Sequence, residues 1–404
     1  MRFLRALRGD ILAGGLSWTK QREGFAQVDQ EPIRKRGLTP FSDRLQGRGR
    51  AVKKIAWLGI LVVLCVSSTD ARAGWRKENE LAALNHSIKG KVVDHTANHG
   101  HDRRIWSPSL GQKRDLYVYL PPNYDPDSRY PIIIFMHGFG QDEQLFLRMA
   151  PKIDEEICQG KLPPVIIAAP DGSITGEASY LQPGSFFINS NAGDFEDWVL
   201  QDMWDFVCEN YPIRSERESH VLAGVSMGGF AAFSMGIRHR QAFGVAVGIH
   251  PPLNLRWVDC NGNYFANFDP RCWGWRTTLE RRREPVAKFY GGLVKVRIGQ
   301  LIDPLFGFND DALGAISRQN PIELIDATHL QNGDLAMFVG YGGKDEFNID
   351  AQVESFLYLA KCRGIGVGVA YEPYGHHDTT TAIRQWPDMV DWLAPRLAPY
   401  APEH

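Results

Sequence analysis

The longest apolar run of this chain, Ile55 to Val66, has 12 residues, too few for a bilayer-spanning helix, which needs about 20. Among its 6 cysteines there is no CxxC pair and no Cys/His spacing of a zinc site, and the chain contains no internal repeat. These absences set aside membrane-spanning helices, zinc ribbons and solenoids. Charge of one sign is also missing, since the formal net charge is only -2. That total conceals an asymmetry: residues 1–54 hold 13 Lys/Arg against 5 Asp/Glu, a net of +8 that leaves -10 for the remainder. The body thus offers no basic patch for a phosphate backbone, and nucleic acid is not an expected partner. With 44% hydrophobic and 23% charged residues, the composition is that of a globular protein, neither disordered nor collagen-like.

The basic start has a plain explanation. Lys53 and Lys54 precede the apolar run, which leads through Ser67, Ser68 and Thr69 to Ala71-Arg72-Ala73. A positive flank, a short apolar centre and small residues at the positions a signal peptidase reads make a secretory signal peptide over residues 52–73, with cleavage expected after Ala73. Leu64 is bulky where a lipidation site at Cys65 would want a small residue, so no stable membrane anchor is expected. Residues 1–51, with no second Met before Met136, read as a mis-assigned start, Val52 being the initiator, or as a long leader. The destination is secreted or periplasmic, where disulfides form. Cys260 and Cys272 flank one Gly/Asn/Pro-rich loop and are the expected pair; the odd number of cysteines left after cleavage means at least one free thiol.

Residues 74–105 form a polar, His-rich lead-in with a strand at Lys91 to His95. Its His95, His99 and His101 lack a carboxylate or Cys framework and read as solvated loop histidines rather than metal ligands. From residue 106 to 400 a catalytic domain is expected. Asp115 to Leu120 alternates as a strand. Continuous apolar runs follow at Pro131 to Met136, Val165 to Ala169, His220 to Val225, Ala242 to Ile249, Leu335 to Tyr341 and Val367 to Tyr371. Helix-like stretches such as Glu196 to Glu209 and Met227 to His239 separate them. Such alternation predicts an α/β fold with a mostly parallel sheet covered on both faces, active residues lying at the carboxyl ends of strands. Residues 250–333, rich in Trp, interrupt it and read as an insertion packed over the active-site face.

Gly224-Val225-Ser226-Met227-Gly228-Gly229 follows one buried strand and opens a helix, the context a GxSxG nucleophile requires. The turn brings residues two before and two after the serine so close that side chains there would clash, and the helix N-terminus favours developing negative charge. A serine hydroxyl needs a base, and the base an orienting acid. Asp345 follows a strand and a Gly-Gly turn, while His376 and His377 follow the last strand, so the order Ser226, Asp345, His377 is that of an α/β-hydrolase triad. The competing reading of Asp345 is a cap for a helix at Glu346 to Lys361. Two backbone N–H donors are needed for the oxyanion, expected from Met227 and, in the loop His137-Gly138-Phe139-Gly140, from Phe139. His137 is expected to stiffen that loop.

Several stretches together resemble the esterase family of α/β-hydrolases that includes S-formylglutathione hydrolase (esterase D), feruloyl and acetylxylan esterases, enterochelin esterases and mycolyltransferases. They are Val118 to Tyr124, Tyr130-Pro131, His137-Gly138, Ser185 to Ser190, Phe195-Glu196-Asp197-Trp198, Gly224 to Gly229 and Gly343-Lys344-Asp345. The resemblance spans roughly residues 112–392, with a gap across the insertion. It implies an α/β-hydrolase fold, ester substrates, and a serine triad without metal or cofactor. In that family the catalytic histidine commonly stands two residues after a glycine, which in Gly375-His376-His377-Asp378 selects His377. Neighbouring residues of an extended loop face opposite ways, so only one imidazole can reach Ser226. The expected activity is carboxylic ester hydrolysis through an acyl-enzyme, on a small-molecule or carbohydrate-linked ester, phenolic acyl groups included. Acyl transfer on the same scaffold, or a non-catalytic binding protein, are the alternatives.

Overall fold

A computed structural model describes residues 80–179, 184–279, 283–289, 294–307 and 311–402. The leader and the signal segment at 52–73 lie outside them. Eight strands form the central sheet: β1 (Lys91–His95), β2 (Leu116–Leu120), β3 (Ile132–Met136), β4 (Ile166–Pro170), β5 (His220–Val225), β6 (Val245–Ile249), β7 (Ala336–Gly342) and β8 (Gly368–Glu372). Their order across the sheet is β1-β2-β4-β3-β5-β6-β7-β8. The β1–β2 and β2–β4 pairs are antiparallel and all other neighbours parallel. This is the α/β-hydrolase fold that the alternation predicts, with strand ends that coincide with the expected ones or differ from them by up to three residues.

The inner strands β2 to β7 are buried nearly throughout because both faces are covered, while the edge strands β1 and β8 keep exposed positions. All five residues of β3, Ile-Ile-Ile-Phe-Met, are buried. Successive residues sort onto two cores. Ile132, Ile134 and Met136 face a helix running Phe195–Asp197, Trp198–Met203 (π-helical) and Trp204–Asn210, together with the helix Met227–Arg238. Ile133 and Phe135 face the helices Leu145–Cys158 and Thr379–Leu397. Burying one such side chain contributes roughly 1.5–3 kcal/mol.

Between β6 and β7 the chain forms the ribbons Trp257–Asp259/Trp273–Trp275 and Pro285–Phe289/Val294–Arg297, then helices Ile298–Phe306, Ala312–Ser317 and Pro321–Ala327. The last packs in one core with Phe233, Val339 and Phe356, so it is the crossover helix that joins parallel β6 and β7. Cys260 and Cys272 form a disulfide with Cα atoms 4.8 Å apart, while Cys158, Cys208 and Cys362 are free thiols. Among the described residues no helix is long and apolar enough to cross a membrane.

The lead-in histidines are not solvated as a group. Buried His99 meets the Tyr117 hydroxyl at 2.7 Å and His95 the Tyr211 hydroxyl at 2.8 Å, because β1 lays this segment against the sheet edge.

Candidate active site

Ser226 sits where β5 ends and the helix Met227–Arg238 begins, with φ 53° and ψ -114°. A left-handed φ at a non-glycine residue costs of order 1–3 kcal/mol, and here two bonds hold it. The Ser226 N–H donates to Ile249 O at 2.7 Å, and the Phe230 N–H to Ser226 O at 2.9 Å. A Cβ on Gly224 would come within 2.3 Å of the Gly228 carbonyl carbon, and one on Gly228 within 2.0 Å of Met136 O. The turn therefore admits only glycine two residues either side of the serine.

From Ser226 a continuous line of bonds runs inward. Its hydroxyl lies 3.0 Å from His377 Nε2, and His377 Nδ1 lies 2.7 Å from Asp345 Oδ2. These contacts assign the tautomer: Nδ1–H donates to the carboxylate, leaving the Nε2 lone pair for the serine proton. The other oxygen of Asp345 accepts the Phe347 N–H at 2.9 Å. The following helix starts only at Ile349, so Asp345 does not cap it. Burial pulls the His377 pKa down, but the charge and hydrogen bond of Asp345, with Glu346 and Asp378 beyond, outweigh it and raise the pKa above its ordinary value.

The two adjacent histidines diverge. His376 is 54% exposed and bonds Glu346 Oε1 through Nδ1 at 2.8 Å, while Glu346 Oε2 accepts the His377 N–H at 3.0 Å. One carboxylate thus turns His376 outward and fixes the backbone of His377.

Met227 and Phe139 border the same pocket as Ser226. As the first residue of its helix, Met227 carries an N–H that no helical turn can pair. The Phe139 loop is stiffened by buried His137, whose Nε2 accepts the Gly172 N–H at 2.8 Å and whose Nδ1 meets Gly138 O at 2.9 Å. Behind it lies a fully buried ion pair, Arg114 with Asp171 at 2.6 Å. The Phe195 to Trp198 stretch braces this region: Trp198 Nε1–H donates to Asp171 O at 3.0 Å, and Glu196 takes Arg238 at 2.6 and 2.7 Å.

Two neighbours of the site were not legible beforehand. His250 follows β6 in the left-handed region (φ 51°), its ring 5.2 Å from that of His377 and its Nδ1 3.7 Å from Asp345 Oδ2. It is 2% exposed and neither ring nitrogen has a well-formed hydrogen bond among the described residues; burial, then the His377 charge, outweighs Asp345 and Asp378 and lowers its pKa to about 4. Its position at the carboxyl end of a parallel strand was the available signal. Glu346 had none beyond adjacency to Asp345. The donor atoms of His250, Asp345 and His377 lie within 4.8 Å of one another, a set a metal ion could use, yet the short bonds from His377 to Asp345 and Ser226 engage the same lone pairs.

Fold and site geometry define the class as an α/β-hydrolase with a serine, a histidine and a carboxylate at the carboxyl ends of its strands. Residues 107–398 match the family described as Putative esterase, and the chain belongs to that family. It is 27% identical over 157 residues to an endo-1,4-beta-xylanase/feruloyl esterase of Xylanibacter ruminicola, covering 36% of this chain and 21% of that protein. It is 28% identical over 176 residues to Esterase Rv1288 of Mycobacterium tuberculosis, covering 41% and 36%. The matched segments thus span about a fifth to a third of these curated relatives' own length. Among solved structures, a ferulic acid esterase superposes with a TM-score of 0.51 at 16% identity, covering 77% of this chain and 99% of that one. The fluorophosphonate-binding serine hydrolase FphF of Staphylococcus aureus superposes with a TM-score of 0.52 at 15% identity, covering 76% and 98%. At these identities the likeness is one of fold.

Proposed function

We propose that this chain is an exported serine carboxylic-ester hydrolase. The observation that carries the reading is the unbroken line Ser226–His377–Asp345, at 3.0 and 2.7 Å, opening on an apolar pocket. In the proposed cycle Ser226 Oγ bonds to the ester carbonyl carbon as its proton passes to His377 Nε2. The carbon–oxygen bond to the alcohol then breaks, and His377 returns the proton to the departing alkoxide. Water, deprotonated by the same imidazole, releases the acid and restores the hydroxyl. Asp345 stabilises the imidazolium, and the N–H groups of Phe139 and Met227 hold the oxyanion. No other group is needed to balance these steps.

Export is supported by Lys53-Lys54, the 12-residue apolar run and Ala71-Arg72-Ala73, together with the Cys260–Cys272 disulfide. The feruloyl group named for one relative makes phenolic acyl esters, carbohydrate-linked ones included, a substrate class to include in testing. Ser226→Ala should reduce hydrolysis of p-nitrophenyl acetate by at least about 10⁴-fold and abolish fluorophosphonate labelling, with an unchanged circular dichroism spectrum. Unaltered turnover, or labelling at another serine, would refute the assignment.

A further inference from the structure

We infer that the pocket beside Ser226 is an aliphatic acyl-chain site completed by the segment between β6 and β7, so the preferred ester carries an acyl group several methylenes long. This rests on the serine-esterase reading and adds the substrate class to it. The pocket opens at Ser226 and is lined almost wholly by apolar side chains, Ser226, Tyr264 and Gln352 being the polar residues among them. Its lining combines Phe186, Ile188 and Phe230 from the sheet domain with Ile298, Ile302 and Leu305 of the helix Ile298–Phe306.

Polar groups in the lining are few and largely spent. The Tyr264 hydroxyl donates to Phe347 O at 2.7 Å and accepts from Gln352 Nε2 at 3.1 Å, which leaves Gln352 Oε1, buried, as the acceptor without a partner. A methylene chain gains from this surface at every carbon. A sugar or a methoxyphenol could give one hydroxyl to Gln352 Oε1 and would have to leave its remaining hydroxyl or ether oxygens desolvated against the apolar lining. The tryptophans of the segment do not offer a stacking platform here. Trp257 is fully buried in the segment's own core, and Trp273 packs on Trp275 with ring centroids 5.4 Å apart, so none of the three lines the pocket.

The test is kcat/KM for p-nitrophenyl acetate, butyrate, hexanoate and octanoate and for methyl ferulate, with fluorophosphonate labelling of Ser226 followed separately. A buried methylene is worth about 0.8 kcal/mol, or about fourfold, so octanoate should exceed acetate by at least about 100-fold. Ile302→Trp, which fills the pocket from its half-buried wall, should lower the octanoate-to-acetate ratio at least about tenfold. Ile302→Ala, an easier change to fold around, should move the optimum to a longer chain. A flat chain-length profile with ferulate turned over faster than octanoate, in protein whose Ser226 still labels, overturns the acyl-chain site and leaves the esterase standing. Ratios unmoved in both variants overturn the part given to this helix. Failure of every ester together with failure to label overturns the esterase reading itself.

Discussion

Changing Asp345 to Asn alters one oxygen of the site and should silence it through the tautomer of His377. The carboxylate has one oxygen on the Phe347 N–H at 2.9 Å and the other on His377 Nδ1 at 2.7 Å. An asparagine keeps the first bond only if its carbonyl oxygen takes that place, which turns its NH₂ toward Nδ1. The imidazole must then accept at Nδ1 and carry its proton on Nε2, facing a serine hydroxyl it can no longer deprotonate. Loss of the carboxylate charge also withdraws stabilisation from the imidazolium. A wrong tautomer in a Ser-His-Asp site costs roughly 10⁴ in kcat, or about 5.4 kcal/mol of transition-state stabilisation. The assay is kcat/KM for p-nitrophenyl acetate from pH 5 to 9 beside the wild type. Because Asp345 is the main cause raising the His377 pKa, wild-type activity should fall as pH drops through a value above 6.5. Any residual activity of the variant should persist to lower pH. Retention of activity within about tenfold, with an unshifted profile, would remove Asp345 from its role.

Other predictions follow from the same contacts. His377→Ala should be inactive at pH 8 while His376→Ala keeps most of its kcat, since only the former imidazole meets Ser226; the reverse result would move the base by one position. His250 is held neutral with a pKa near 4, below the 6.5 of an unfolded histidine, so the unfolded state takes up the extra proton and stability falls as pH drops from about 6.5 to about 4. Urea unfolding should find His250→Asn, which tolerates the left-handed backbone, relieved of up to about 3 kcal/mol of that acid loss; parallel pH curves for the two proteins would contradict this. Replacing Cys260 and Cys272 by Ser opens a link between residues 12 apart in sequence. The chain-entropy estimate is a loss of about 3 kcal/mol, read as a lower denaturation midpoint or as faster proteolysis of the Trp-rich segment, and an unchanged midpoint and digestion rate would mean packing alone holds the loop.

Most inner strands were legible because they are short apolar runs, several bounded by Gly or Pro and alternating along the chain with helix-like stretches, the arrangement of a sheet covered on both faces. Ser226 was legible for a related reason: the glycines at 224 and 228 answer a clash that the turn creates within a few residues. Asp345 and His377 could be proposed from chain order, and the Cys260–Cys272 pair from the loop between them. Other features depended on the tertiary structure. His250 comes from the end of β6, yet it acquires its neighbours only when β7 and the loop after β8 bring Asp345 and His377 against it. His99 looked like a solvated loop residue until β1 was laid along the sheet edge beside Tyr117. The tryptophans after β6 could as well stack on a ligand as form a core of their own segment, and packing puts Trp257 in that core while Ile298, Ile302 and Leu305 line the pocket. By itself the sequence determined what covalent neighbours and local periodicity can encode, namely the strands, the nucleophile turn and the order of the triad. Which side chains surround the triad was decided only by the tertiary structure, because contacts between residues more than a hundred positions apart follow from how the helices and the β6–β7 segment pack and have no local signature in the chain.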